Sequence, residues 1–124
     1  MSSVTLDHVR AAADRIEGRV RRTPLLPCSF CHTSLPDDPA LNLKLECLQV
    51  SGSFKARGAM SKLTTLDDDA KARGLITASG GNHGLGVAYA GHSAGVSTTI
   101  YLPGNTPPAK ADNLRRWGAE VHIH

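Results

Sequence analysis

From Gly74 onward the chain alternates strand-like and helix-like runs without interruption, and this alternation constrains the fold more than any other feature. Short apolar runs at 75–79, 97–102 and 119–124 are separated by helix-patterned segments at 83–94 and 107–117. A strand that pairs in parallel with the next one must be joined to it by a crossover, and a helix is the usual way to make one. The boundaries have chemical causes. Pro107 and Pro108 open the last helix where no N–H partner is needed, and Gly118 closes it. The expected class is therefore α/β. Ligands in such sheets bind beyond the carboxyl ends of the strands, where the loop 79–84 falls.

The first half is patterned less regularly. Leu6, Val9, Ala13 and Ile16 recur at helical spacing, with Thr5 as N-cap and Gly18 as the stop. Pro24 forces an extended segment at Arg22-Thr23-Pro24-Leu25. Leu35-Pro36-Asp37-Asp38-Pro39 reads as a turn, and Leu41 to Glu46 alternates as a strand with one buried face. Asp67-Asp68-Asp69 opens a short helix that ends at Gly74; its acids suit the helix dipole and form a solvated cap rather than a metal site.

Two segments carry chemistry. In Ser51-Gly52-Ser53-Phe54-Lys55-Ala56-Arg57-Gly58-Ala59, a lysine stands at a helix start just after the apolar segment Leu41 to Leu48. The positive end of the helix dipole and the neighbouring phenylalanine both disfavour an ammonium there. An amine that is partly neutral near neutral pH can form a Schiff base. In Ala78-Ser79-Gly80-Gly81-Asn82-His83-Gly84, a strand-like run gives way to a glycine loop and then to the helix-like Leu85 to Ala90. The unpaired N–H groups of such a loop form a receptor for a carboxylate or phosphate. His83 is expected to contribute its backbone rather than to act as a general base.

These two motifs, S-G-S-F-K-x-R-G-A followed by S-x-G-N-H-G, resemble those of the fold-type-II pyridoxal phosphate enzymes, in the same order and at about the same spacing. The resemblance lies on the side of the serine/threonine dehydratases (threonine ammonia-lyases), since cysteine synthase relatives carry an S-V-K-D-R lysine motif and T-S-G-N-T-G. Arg22-Thr23-Pro24-Leu25 and the stretch Lys110 to Val121, similar to K-x-x-x-L-R-x-x-G-A-E-V, extend it over most of the chain. It implies a tryptophan synthase β-like fold, three αβα layers about a mostly parallel sheet, here incomplete. Residues 1–50 would then be the N-terminal helix and first-strand segment of the larger domain, and 51–124 a small-domain portion. Lys55 would be the catalytic residue that carries pyridoxal 5'-phosphate, Phe54 would lie against its ring, and Asn82 would hydrogen-bond its 3' oxygen. Ser79, Gly80, Gly81, Asn82 and His83 would hold the substrate carboxylate.

The implied reaction is β-elimination from L-serine or L-threonine to a 2-keto acid and ammonia. Small amino acids are the implied substrates, and the complete protein is expected to be a homo-oligomer. Serine racemases of this kind place a Ser immediately before G-N-H; Gly80 stands there instead, which favours elimination over racemisation. Two family elements are absent from the sequence, a glycine-rich phosphate cradle and a later Ser or Cys facing the pyridine nitrogen. With a strand-like stretch at Ala119 to His124, the sequence reads as an N-terminal fragment, inactive alone.

Other classes fit less well. The net charge of +3 and pI near 9.0 come from scattered Lys and Arg, with only 4% aromatic residues, so no nucleic-acid stripe or stacking platform forms. Neither a membrane-spanning stretch nor a secretory signal is visible, and the cytoplasm is the expected location. Cys28-Ser29-Phe30-Cys31-His32 matches the pattern of c-type haem attachment, but a haem module would leave both glycine-rich elements unexplained. A zinc site from Cys28, Cys31, His32 and Cys47 lacks a second completing pair, and a redox-active C-x-x-C is a further reading. The expectation is no metal and reduced thiols, with Cys28 and Cys31 on a connecting loop and Cys47 in a strand.

Overall fold

The computed structural model describes residues 3–28 and 41–124. Its elements are α1 (Leu6–Ile16), β1 (Leu25–Cys28), β2 (Leu41–Lys44), a 3-10 turn (Glu46–Leu48), α2 (Lys55–Leu63), α3 (Asp68–Ala72), β3 (Leu75–Ala78), α4 (Asn82–Ala94), β4 (Thr98–Leu102), α5 (Pro108–Arg116) and β5 (Glu120–Ile123). The caps follow from the residues. Thr5 Oγ1 accepts from the His8 amide and His8 Nδ1 accepts from the Thr5 amide, a reciprocal pair that closes the first turn of α1. Asp67 accepts from the Ala70 amide at 2.7 Å and starts α3. Pro107 is the N-cap of α5 and Pro108 its first helical residue, while Gly18 and Gly118 take positive φ just beyond the turns they close.

The strands β3, β4 and β5 pair in parallel in that order, each joined to the next by a helix, as the alternation requires. Side chains of β4 alternate between the two faces. Thr98, Ile100 and Leu102 are buried, and Ile100 and Leu102 form a core with Ala88 of α4, Ala111 and Leu114 of α5, and Ala119. A second core joins Ile16 of α1 and Met60 and Leu63 of α2 to Ala90 of α4, with Leu75 and Val96 packed against it. The helices of both cores thus cover the same sheet face. The opposite face carries Ile76, 72% exposed, and a stack of Tyr101, His122 and His124 rings with centroids 5.1 and 5.5 Å from the tyrosine. One helical layer of the expected arrangement is present among the described residues.

β1 and β2 form a separate antiparallel hairpin, with Leu25 opposite Lys44 and Cys28 opposite Leu41. Here the structure corrects the sequence reading. The alternation predicts a strand through Glu46 with one buried face, but β2 stops at Lys44 and Leu43 is 41% exposed. Leu45 leaves extended geometry because Glu46 turns toward a guanidinium on α2 rather than continuing the ladder. No other strand pairs with the hairpin among the described residues, so Leu25 and Leu26 also stay exposed. Cys47 lies exposed in the 3-10 turn, not in a strand, and Cys28 ends β1 rather than sitting on a loop, because it pairs with Leu41. Cys31, His32 and the turn at Leu35 to Pro39 fall outside the described residues. No helix among the described residues is long and apolar enough to cross a membrane.

Candidate functional site

Lys55 is the first residue of α2. Phe54 precedes it as an N-cap in right-handed helical geometry that makes no side-chain capping bond, and Ser53 Oγ accepts weakly from the Lys55 amide at 3.4 Å. Phe54 is 58% exposed, with Lys55 Nζ 5.1 Å from the centroid of its ring. The sequence predicts an apolar neighbour hostile to the ammonium. At this distance the ring face attracts it instead.

The glycine loop 79–81 connects β3 to α4, and Asn82 and His83 are the first two residues of that helix. Gly81, its N-cap, has no side chain to cap the first turn, and Ser79 Oγ accepts from the Gly81 amide at 3.3 Å. The helix start therefore points amides at the loop side with no side-chain cap, which suits an anion. Gly84 permits this fold-back: a Cβ there would stand 2.0 Å from the Ser79 carbonyl oxygen.

Two residues further along α4, a Cβ at Gly86 would stand 2.9 Å from both the carbonyl carbon and the carbonyl oxygen of Lys55. Only glycine lets α4 approach the lysine backbone so closely. This contact joins the two motifs of the sequence: α2 and α4 lie against each other with Lys55 at the start of one and the glycine loop at the start of the other. Phe54, Lys55, Lys62, Thr77 and His83 line a shared cleft of about 380 Å³, walled by apolar side chains of α2, α4 and β3. Ser79, Gly80, Gly81 and Asn82 lie outside its lining. An amine, a second lysine and an aromatic ring at one cleft, next to an uncapped helix start, are a donor set suited to an anionic aldehyde cofactor and an amino-acid carboxylate. Among the described residues no group of His, Cys, Asp and Glu is arranged to hold a metal ion.

A polar network that the sequence reading missed lies behind the lysine. Arg57 donates from Nε to Glu46 Oε2 at 2.9 Å and from Nη2 to Glu46 Oε1 at 2.6 Å, a two-pronged ion pair. Thr23, 4% exposed, donates its hydroxyl to Glu46 Oε1, and Arg57 Nη2 also reaches the Arg21 carbonyl oxygen at 3.1 Å. The Arg57 hydrogen bonds hold the Glu46 carboxyl down to about 2 from an ordinary 4.5, against a desolvation that pushes it up; the Thr23 bond adds to the lowering. The same bonds raise the Arg57 guanidinium above its usual value. Gln49, 3% exposed, accepts from the amides of Arg21 and Val50 and donates to the Arg21 carbonyl oxygen. Arg57 was legible as part of the lysine motif. Its partner was not, since nothing in the alternation of Leu41 to Glu46 distinguishes an inward acid from a solvated one.

Residues 16–124 match the family described as Pyridoxal-phosphate dependent enzyme. An L-threonine ammonia-lyase of Geobacter sulfurreducens is 42% identical over 91% of this chain and 28% of its own length, and a phenylserine dehydratase of Ralstonia pickettii is 41% identical over 98% of this chain and 37% of its own. Among solved structures, maize serine racemase superposes with a TM-score of 0.88 at 33% identity, covering 98% of this chain and 36% of that one. A threonine deaminase from T.th. superposes at 0.82 with 40% identity, covering 98% and 37%. The chain thus spans little more than a third of the length of these relatives, or less. Identity at this level across nearly the whole chain, on a fold that superposes as closely, places the chain in the pyridoxal-phosphate-dependent enzyme family, with the fold-type-II architecture.

Proposed function

We propose that this chain is the lysine-bearing part of an enzyme that eliminates the β-hydroxyl of L-serine or L-threonine, giving a 2-keto acid and ammonia. The observation that carries the reading is the close approach of Gly86 to the Lys55 backbone, which brings the lysine and the uncapped start of α4 together. Pyridoxal phosphate supplies the electron sink for charge developing at the substrate Cα. Lys55 Nζ, at the start of α2, would hold the cofactor and serve as the base for the Cα proton. Phe54 would lie against the ring, Asn82 would hydrogen-bond the 3' oxygen, and the backbone of Ser79, Gly80, Gly81, Asn82 and His83 would hold the substrate carboxylate beside the helix start. Two relatives named as a threonine ammonia-lyase and a phenylserine dehydratase support elimination from a β-hydroxy amino acid.

Racemisation is the second reading, favoured by the superposition on serine racemases. It needs a second base across the Cα. Gly80 offers none, and a Cβ there would press on Leu102 Cδ2 at 3.3 Å and Thr106 Cγ2 at 3.4 Å. The full-length enzyme would be a cytoplasmic homo-oligomer, and residues 1–124 alone would be inactive with weak affinity for the cofactor. Borohydride reduction in the presence of pyridoxal phosphate, followed by peptide mass mapping, is expected to find the pyridoxyl group on Lys55; a label confined to Lys44 or Lys62 would reject the assignment. With the full-length protein and L-serine, pyruvate is expected to form well ahead of D-serine, the latter followed by chiral chromatography; the reverse order would reject elimination as the principal reaction. Ammonia release from L-threonine by residues 1–124 alone would show that the catalytic apparatus has been misjudged.

A further inference from the structure

The Glu46 network has no direct part in the proposed chemistry, yet it takes hold of the chain two residues from Lys55. Three segments meet in it: the approach to β1 through Arg21 and Thr23, the 3-10 turn at Glu46, and the first turn of α2 at Arg57. Desolvation offsets part of the attraction in a half-buried ion pair, and stability is only one of its effects. What a two-pronged guanidinium–carboxylate pair does supply is direction, since both bonds form only when the two planes are aligned. Direction is what the start of α2 otherwise lacks. Phe54 makes no side-chain cap, and the Ser53 bond to the Lys55 amide is long at 3.4 Å. The first turn is gripped instead from two sides, by Gly86 against the Lys55 carbonyl and by Glu46 against Arg57.

We infer that Glu46 and Arg57 are positioning residues for Lys55, setting the first turn of α2 so that the lysine side chain is presented to the cleft it shares with His83. The inference rests on the reading of Lys55 as the reactive amine. Thr23 and Gln49 complete the device: the Thr23 hydroxyl occupies a remaining lone pair of the carboxylate, and Gln49 ties the Arg21 backbone to the 3-10 turn.

The test uses the full-length protein with Glu46→Gln, which keeps size and loses charge, and Arg57→Lys, which keeps charge and loses the fork. Thr23→Val, which removes the hydroxyl's bonds to Glu46 and Arg57 but keeps the ion pair, serves as a milder third variant. Each is examined by thermal midpoint, by amide hydrogen exchange, and by the rate of borohydride-trapped pyridoxyl labelling at Lys55, with Lys62 in the same digest as reference. Faster exchange is expected at residues 55–58 with α4 unchanged, and Lys55 labelling should fall roughly tenfold to a hundredfold well below the midpoint, as small misplacements of a reacting group do. Thr23→Val shifts both in the same direction by less. Lower midpoints with wild-type exchange at 55–58 and a wild-type Lys55/Lys62 ratio would show that the pair serves stability alone and would overturn the inference. Should the unsubstituted protein take no label at Lys55, the reading of the lysine falls, and the exchange at 55–58 still decides whether the pair sets that turn.

Discussion

Gly86 and Gly58 are both helical glycines near Lys55, and replacing each by alanine separates packing from propensity. In either position alanine gains about 1 kcal/mol over glycine from helix propensity and reduced freedom of the unfolded chain. At Gly58 nothing lies within 4 Å of the new Cβ, so Gly58→Ala is expected to stabilise by roughly 0.5–1 kcal/mol. At Gly86 the new Cβ meets the Lys55 carbonyl carbon and oxygen at 2.9 Å and the Ala56 nitrogen at 3.1 Å, all backbone atoms that cannot rotate aside. Relief requires α2 to move from α4, and overpacking of this kind costs typically about 1–3 kcal/mol. The propensity gain cancels between the two, so the difference is expected at about 1–3 kcal/mol, with Gly86→Ala the less stable; at roughly 4 °C per kcal/mol it is visible in a thermal melt as well as in urea. The decisive comparison is urea unfolding of both variants under one condition. If Gly86→Ala unfolds at or above the midpoint of Gly58→Ala, α4 does not press on the lysine backbone, and the contact that joins the two motifs is not there.

Glu46 has a folded value of about 2 against 4.5 when unfolded, a lowered carboxyl, so its contribution is whole above about pH 4.5 and drains as pH falls toward 2. Urea midpoints followed from pH 6 to pH 2.5 should drop by an amount equivalent to about 2–3 kcal/mol for this group, and Glu46→Gln should flatten that part of the profile; matching slopes in both proteins would place the acid loss elsewhere. Thr5→Ala removes the side-chain acceptor that closes the first turn of α1 and is expected to cost roughly 1 kcal/mol with some loss of helical circular dichroism, whereas an unchanged melt would mean that the cap is idle. Gly80→Ser places its Cβ against the ends of Leu102 and Thr106 side chains, which can give, so a loss under about 1 kcal/mol is expected; a loss near that of Gly86→Ala would show the loop to be packed more rigidly than these contacts imply.

What was legible in the sequence was legible for a local reason. The period of two in Thr98 to Leu102 survives as buried and half-buried side chains in turn, and Thr5, Asp67 and Pro108 act at the helix starts where their own chemistry puts them. The strand predicted through Glu46 failed for the opposite reason. Its end is set by Arg57, eleven residues on, and a local pattern of apolar and polar residues cannot say which acid will meet a distant guanidinium. The glycine-rich helix start reads from the sequence as an anion-receptor loop, and Gly81 does leave the first turn of α4 without a side-chain cap; yet Gly84 and Gly86 are glycines because other backbone lies where their side chains would be. The two cases have one cause. Long-range contacts at fixed backbone geometry leave only a residue type in the sequence, and here those contacts, at Gly86 and at Glu46, converge on the first turn of α2. The motif therefore shows which lysine to test, while the residues that aim it come from segments the motif does not contain.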